Sequence, residues 1–199
     1  MKNENKKYNI IYADPPWHFS RSMKSSGSGG SYLPLERHYR TKNTTLDELK
    51  LLRVNEITAK NAMCFMWSTD AHIKYAIEVM ESWGFKYKTV GFYWIKKHRS
   101  GKQVCFMGAY TMKCGELCLL GTKGTATKLI KKPNIRALVE SARGKHSVKP
   151  AEVRERISSF VGAVPKIELF AREKVKGWDV WGDEVESDIQ LDTKERHEA

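Results

Sequence analysis

The chain has no hydrophobic run long enough to cross a membrane, and its opening residues, Met1 to Lys7, are polar with no apolar stretch behind them. Neither a membrane protein nor an exported one is therefore expected, and the location expected is cytoplasmic. Its four cysteines, Cys64, Cys105, Cys114 and Cys118, contain no C-x-x-C pair and match no usual zinc spacing, so neither a disulfide framework nor a metal is expected. Three of them lie in or beside apolar segments and read as small core residues of a reducing compartment. Gly27 to Gly30 and Gly121 to Lys128 both fail the phosphate-cradle patterns, which argues against an ATPase. Acid is in short supply: 35 Lys and Arg stand against 23 Asp and Glu, a net charge of +12. Such an excess favours an anionic partner, nucleic acid first among them.

What is present begins with Tyr8 to Ala13, an apolar run that ends in Asp14-Pro15-Pro16-Trp17. If the run is a buried strand, the tetrapeptide sits at its carboxyl end, where open α/β sheets bind ligands. Asp14 offers acceptors only, and the proline after it pushes its backbone toward an extended conformation. The two prolines lack N–H groups, so the turn presents mainly acceptors. Trp17 adds a flat face on which a planar ring can stack. Acceptors beside a stacking platform suit an aromatic amine, and hydrogen bonds from an adenine amine to Asp14 and a proline carbonyl would localise its lone pair and aim it at an electrophile. Positioning would carry most of the rate.

Along the rest of the chain, Ser20 to Ser31 is rich in serine and glycine and is expected to be a mobile loop closing over a substrate. Thr44 to Glu48 opens a helix with a capping box, and Leu46, Leu49 and Leu52 or Arg53 follow at helical spacing. Ala62 to Trp67 reads as a strand, then a helix with Ile73, Ile77 and Met80 on its apolar stripe and Gly84 at its end, then a strand over Lys86 to Ile95. This order predicts a crossover unit and a largely parallel sheet. Trp94 followed by Lys96, Lys97 and Arg99 suits single-stranded nucleic acid, or a simple solvated strand end. Glu116 opens another strand. Gly121 to Lys149 is basic, with Lys123, Lys128, Lys131, Lys132, Arg136 and Arg143, and reads as a substrate loop meeting phosphates. Pro150 starts a helix striped by Val153, Ile157 and Phe160 or Val161 and ending at Gly162. Lys149 just before that helix start complements no dipole, which implies a local anion. Lys166 to Phe170 is a final strand candidate, running into Arg172. After Glu184 the chain is charged and poor in apolar residues, so the expected organisation is one domain over 1–184 and a disordered tail over 185–199.

Nine segments in order resemble the MT-A70 family of S-adenosylmethionine-dependent adenine-N6 methyltransferases. They are Asp14 to Trp17, His38 to Thr41, Phe65 to Trp67, Ser82 to Phe85, Trp94 to Lys96, Gly115 to Leu119, Ser147 to Pro150, Lys166 to Arg172 and Trp178 to Gly182. The resemblance implies a Rossmann-like class I methyltransferase fold with a permuted motif order, its catalytic tetrapeptide preceding the cofactor strand. It implies a target-base pocket containing Tyr39, Glu116 and Lys149. For S-adenosylmethionine it implies Asp14, Lys149, Phe170 and Arg172, with Asp183 or Glu184 on the ribose where the family usually carries amides. The substrate it implies is nucleic acid, with DNA preferred and RNA open. It also implies a possible homodimer, or a heterodimer with a related subunit. A non-catalytic nucleic-acid-binding subunit remains the alternative reading.

Overall fold

The structure, a computed structural model, describes residues 6–17, 44–108, 110–144 and 148–193. The expected loop over Ser20 to Ser31 and the expected pocket residue Tyr39 lie outside these. Seven strands form one sheet: β1 (Tyr8–Ala13), β2 (Thr58–Ser68), β3 (Lys86–Lys97), β4 (Gly115–Lys123), β5 (Leu138–Ala142), β6 (Lys166–Leu169) and β7 (Asp179–Trp181), in the order β5-β3-β4-β2-β1-β6-β7. Four helices accompany them among the described residues: α1 (Leu46–Leu51), α2 (Val54–Ile57), α3 (Ile73–Ser82) and α4 (Ala151–Val161).

The continuous apolar runs of β1 and β2 follow from burial on both faces of the sheet. Ile11 and Ala13 of β1 join Ala62, Cys64 and Met66 of β2 in one core, which α3 closes with Ala76, Val79 and Met80. Ile10 and Tyr12 join Met63, Phe65 and Trp67 in a second core, closed by Val153, Ile157 and Val161 of α4. The two-residue alternation of strands assigns each side chain its layer. Thr45 caps α1 with the expected box, its hydroxyl accepting from the Glu48 amide while the Glu48 carboxylate accepts from the Thr45 amide. Gly84 (φ +87°) and Gly162 (φ +70°) follow α3 and α4 at backbone angles that L side chains rarely adopt.

The structure departs from the sequence reading in several places. The sheet is mixed: β1 pairs in parallel with β2 and β6, β6 with β7, and β3 with β5. However, β4 runs antiparallel between β2 and β3. The β2-α3-β3 crossover therefore skips one position, which β4 fills. The basic stretch after Gly121 is not all loop, since it holds a short 3-10 turn at Ala126–Leu129 and the edge strand β5. Cys105 and Cys114 are joined as a disulfide and lie outside the core, whereas Cys64 and Cys118 are the buried pair. Residues 185–193 pack on the domain instead of trailing from it. Ile189 and Leu191 are buried in the first core, and the Arg53 amide donates to the Asp192 carbonyl. Two apolar residues in a charged context were enough for this docking, and composition averaged over the tail hid them. Among the described residues no helix is long and apolar enough to cross a membrane.

Candidate active site

The antiparallel β4 has a direct consequence for the chemistry. Strands β1, β2 and β3 end at one edge of the sheet, and β4 begins there, because Ser68 pairs with Leu117 and Trp94 with Glu116. Asp14 follows β1 at this edge, Glu116 enters on β4, Lys96 closes β3, and Lys149 arrives just ahead of α4. Lys149 Nζ stands 2.6 Å from Asp14 Oδ2 and 3.2 Å from Glu116 Oε2, and Lys96 Nζ bonds Glu116 Oε1. The anion that Lys149 implied is this pair of carboxylates.

Two acids and two lysines thus form a neutral cluster, with side-chain exposures of 25% or less. Mutual pairing is what makes charge tolerable at this depth. The lysines also lie over indole rings, Lys149 Nζ 5.7 Å from the Trp67 centroid and Lys96 Nζ 5.0 Å from that of Trp94. The two tryptophans meet edge to face at 6.1 Å. Burial pushes the Asp14 carboxyl above the usual aspartate range; Glu116 reinforces the shift and Lys149 opposes it. Burial acts in the same direction on Glu116, but Lys149 and Lys96 outweigh it and hold that carboxyl below the usual glutamate range.

The turn after Asp14 is held by side chains that sequence reasoning did not single out. Trp17 Nε1 donates to the Trp67 carbonyl at 2.9 Å, and the Trp17 ring stacks on His72 with centroids 6.0 Å apart and planes 18° from parallel. Trp67 Nε1 donates to the Tyr12 hydroxyl at 2.6 Å. Pro15 is buried, and Pro16 and Trp17 are half-buried. Tyr12 was hidden in an apolar run, and His72 in a helix entry. The one available signal was Trp67, oddly bulky for a strand end.

On the other side of β1, Phe170 follows β6 at φ +61°, a rare angle for a bulky residue, and its ring meets Trp181 edge to face at 5.3 Å. Arg172 Nε lies 3.6 Å from Glu184 Oε1, which brings together two residues expected to serve the cofactor. Asp183 is exposed beside them. Gly182 permits this approach, since a Cβ there would sit 2.3 Å from the Ala171 carbonyl oxygen. An arginine fork after β6 and carboxylates after β1 and β7 fit the carboxylate, ammonium and hydroxyl groups of S-adenosylmethionine.

The structure divides the expected nucleic-acid contacts. Lys97 pairs with Glu140 at 2.8 Å, and Arg99 and Arg143 lie exposed beyond the ends of β3 and β5 at the Asp14 edge. Lys96 belongs to the charge cluster rather than to a solvated strand end. Lys123 pairs with Ala62 near the start of β2, at the opposite edge, and Lys128, Lys131 and Lys132 continue there, the last two with amides donating to the Phe160 carbonyl at the far end of α4. Arg136 precedes β5 and gives its carbonyl to Arg156. The reading of 121–149 as one substrate loop is corrected accordingly: an antiparallel β4 carries its carboxyl end away from the site.

A model of the MT-A70 family matches residues 8–184. The chain belongs to the MT-A70 family. It is an S-adenosylmethionine-dependent methyltransferase, as the resemblance of its motifs implied. Among similar proteins, the type II methyltransferase M.MunI of Mycoplasma sp is 37% identical over 199 residues, covering 95% of this chain and 83% of that protein. The human N(6)-adenine-specific methyltransferase METTL4 is 26% identical, over 93% of this chain and 39% of its own length. The N6-methyladenosine RNA methyltransferase MTA1 of Pyricularia oryzae is 25% identical, over 89% and 47%. The chain thus spans less than half of the last two.

Proposed function

We propose that this MT-A70 protein methylates the N6 amine of adenine in nucleic acid, DNA by preference and with loose sequence preference. The observation that carries the reading is the Asp14 carboxylate, anchored through Oδ2 to Lys149 at the end of β1. Among the described residues Oδ1 carries no hydrogen bond, so it can accept one N–H of an adenine amine while a proline carbonyl accepts the other. Those two bonds fix the plane and direction of the amine. Trp17, itself held by the Trp67 carbonyl, bounds the pocket beside them. S-Adenosylmethionine supplies a methyl group made electrophilic by its sulfonium. The amine becomes strongly acidic on alkylation, so its proton passes to Asp14 or to solvent without need of a strong base. Arg172 and Glu184, with Asp183, hold the cofactor from the β6 side.

DNA is favoured on the likeness to a type II methyltransferase, and the likeness to a relative named as an RNA methyltransferase keeps RNA in the test. A base inside a duplex has to be turned out of the stack to reach Asp14. A cytoplasmic location, and pairing with a second copy or a related subunit, belong to the same proposal. The deciding experiment is transfer of labelled methyl from S-adenosylmethionine to single-stranded DNA, duplex DNA and RNA, followed by nucleoside analysis, with Asp14→Ala alongside. Label in N6-methyldeoxyadenosine that disappears in the variant supports the proposal, and label confined to RNA reassigns the polymer. Cofactor binding with no transfer to any polymer would leave a non-catalytic subunit.

A further inference from the structure

Between β3 and β4 the chain leaves the sheet and returns. The Val104 amide donates to the Lys96 carbonyl at 2.8 Å, and the Lys96 amide donates to the Cys114 carbonyl at 2.9 Å. Phe106 and Lys113 exchange two backbone hydrogen bonds, and Cys105 joins Cys114. These ties build a finger on the edge of the sheet that carries Asp14. Its tip exposes large apolar side chains: Tyr110 is 100% exposed, Met107 79% and Met112 62%. Apolar groups displayed together at the end of a secured finger call for an occupant.

Charge identifies it. The segment from Lys96 to Cys114 holds Lys96, Lys97, Arg99, Lys102 and Lys113 and no acid. Three acids reach it from neighbouring elements, Asp70, Glu116 and Glu140, and each is paired with one of these lysines, Lys113, Lys96 and Lys97 in turn, so the segment keeps an excess of positive charge. Lys96 Nζ and Arg143 Cζ lie 5.6 and 5.7 Å from the Phe106 centroid. Cations interleaved with flat, polarisable side chains match a polyanion whose bases offer π faces. The finger is also tied to the pocket, because the Lys96 that touches Phe106 is the one that holds Glu116.

We infer that the finger tip formed by Phe106, Met107, Tyr110 and Met112 is a stacking surface for a nucleobase flanking the target adenine. This rests on the reading of the protein as a nucleic-acid methyltransferase. A polymer whose adenine is seated at Asp14 continues past Lys96 and meets the tip, where one unstacked neighbour base finds a new partner. The contact gives affinity and a preference in context without hydrogen-bond readout of sequence.

The test uses the full chain with Met107→Ser, Tyr110→Ser and Met112→Ser combined, and separately Tyr110→Trp. Adenine-containing oligodeoxynucleotide affinity, labelled S-adenosylmethionine binding, melting temperature and sedimentation are measured on each. The triple variant is expected to lose about tenfold or more in oligonucleotide affinity, the loss of about one stacked base. Cofactor binding and melting stay at wild-type values, and Tyr110→Trp retains affinity. Wild-type affinity in the triple variant overturns the inference. So does a change of oligomeric state with affinity unchanged, which assigns the tip to a protein partner. A wild-type chain that binds no oligonucleotide is a different failure, that of the proposed function itself.

Discussion

Lys149 Nζ and Asp14 Oδ2 stand 2.6 Å apart although 135 residues separate them in the chain. Their bond spans the start of α4 and the end of β1, and Glu116 completes it from β4. The site is therefore a product of packing between three elements, and its charge states depend on one another.

Transfer should follow that dependence in pH. Productive binding of the amine needs an ionised Asp14, whose carboxyl lies above the ordinary range, so kcat/KM is expected to fall as pH drops through that raised value. Glu116→Gln removes a negative neighbour and should move the acid limb to lower pH. Replacing Lys149 by Met should move it up, with a loss of about a hundredfold or more from poorer positioning. A limb that does not respond to either change would remove Asp14 from this role.

Stability should show the opposite face of the same shift. A carboxyl with a raised folded pKa contributes stability below the unfolded value, lost as pH rises through the folded one. Asp14→Asn is therefore expected to gain in stability relative to wild type as pH rises across that window. The gain is about 1.4 kcal/mol for each unit by which the folded pKa exceeds the ordinary one. Glu116, held low, behaves inversely: its contribution is present above the ordinary glutamate range and fades as pH falls through the depressed value. Urea unfolding over a pH series measures both.

Gly182→Ala should be costly where most glycine-to-alanine changes are mild. Its Cβ would meet the Ala171 carbonyl oxygen at 2.3 Å and the Ala171 nitrogen at 2.7 Å, both backbone atoms that cannot swing aside. A loss of about 1–3 kcal/mol by denaturation is expected, together with weaker cofactor binding as Arg172 and Glu184 separate.

Removing residues 185–199 should destabilise the domain. Ile189 and Leu191 leave the core, and each buried side chain of that size is worth about 1.5–3 kcal/mol. The double variant Ile189→Ala, Leu191→Ala gives the same reading without shortening the chain. A truncated protein with an unchanged unfolding midpoint would return the segment to the status of a tail.

Charge reversal should sort the basic residues by sheet edge. Arg143→Glu, near the Asp14 edge, is expected to weaken oligonucleotide binding and flatten its salt dependence. Lys128→Glu and Lys131→Glu, at the far edge, should change both much less. Filter binding over a salt series compares them, and equal effects at the two edges would contradict this placement of the substrate.

Local patterns determined a good part of this protein. The strand ending at Asp14, the capping box at Thr45 and Glu48, the glycine stops after α3 and α4, the α4 stripe and the order of the family motifs all rest on near neighbours along the chain, which is why they were readable. Tertiary structure alone decided the direction of β4, because an apolar strand reads the same run either way. That direction brought Glu116 to Asp14, drew Lys96 into the charge cluster and sent Lys123 and Lys131 to the far edge. The seating of Ile189 and Leu191 and the pairing of Cys105 with Cys114 were likewise settled in space. Alternation assigns a side chain its face, but only the folded sheet supplies the neighbour that gives a charge its partner.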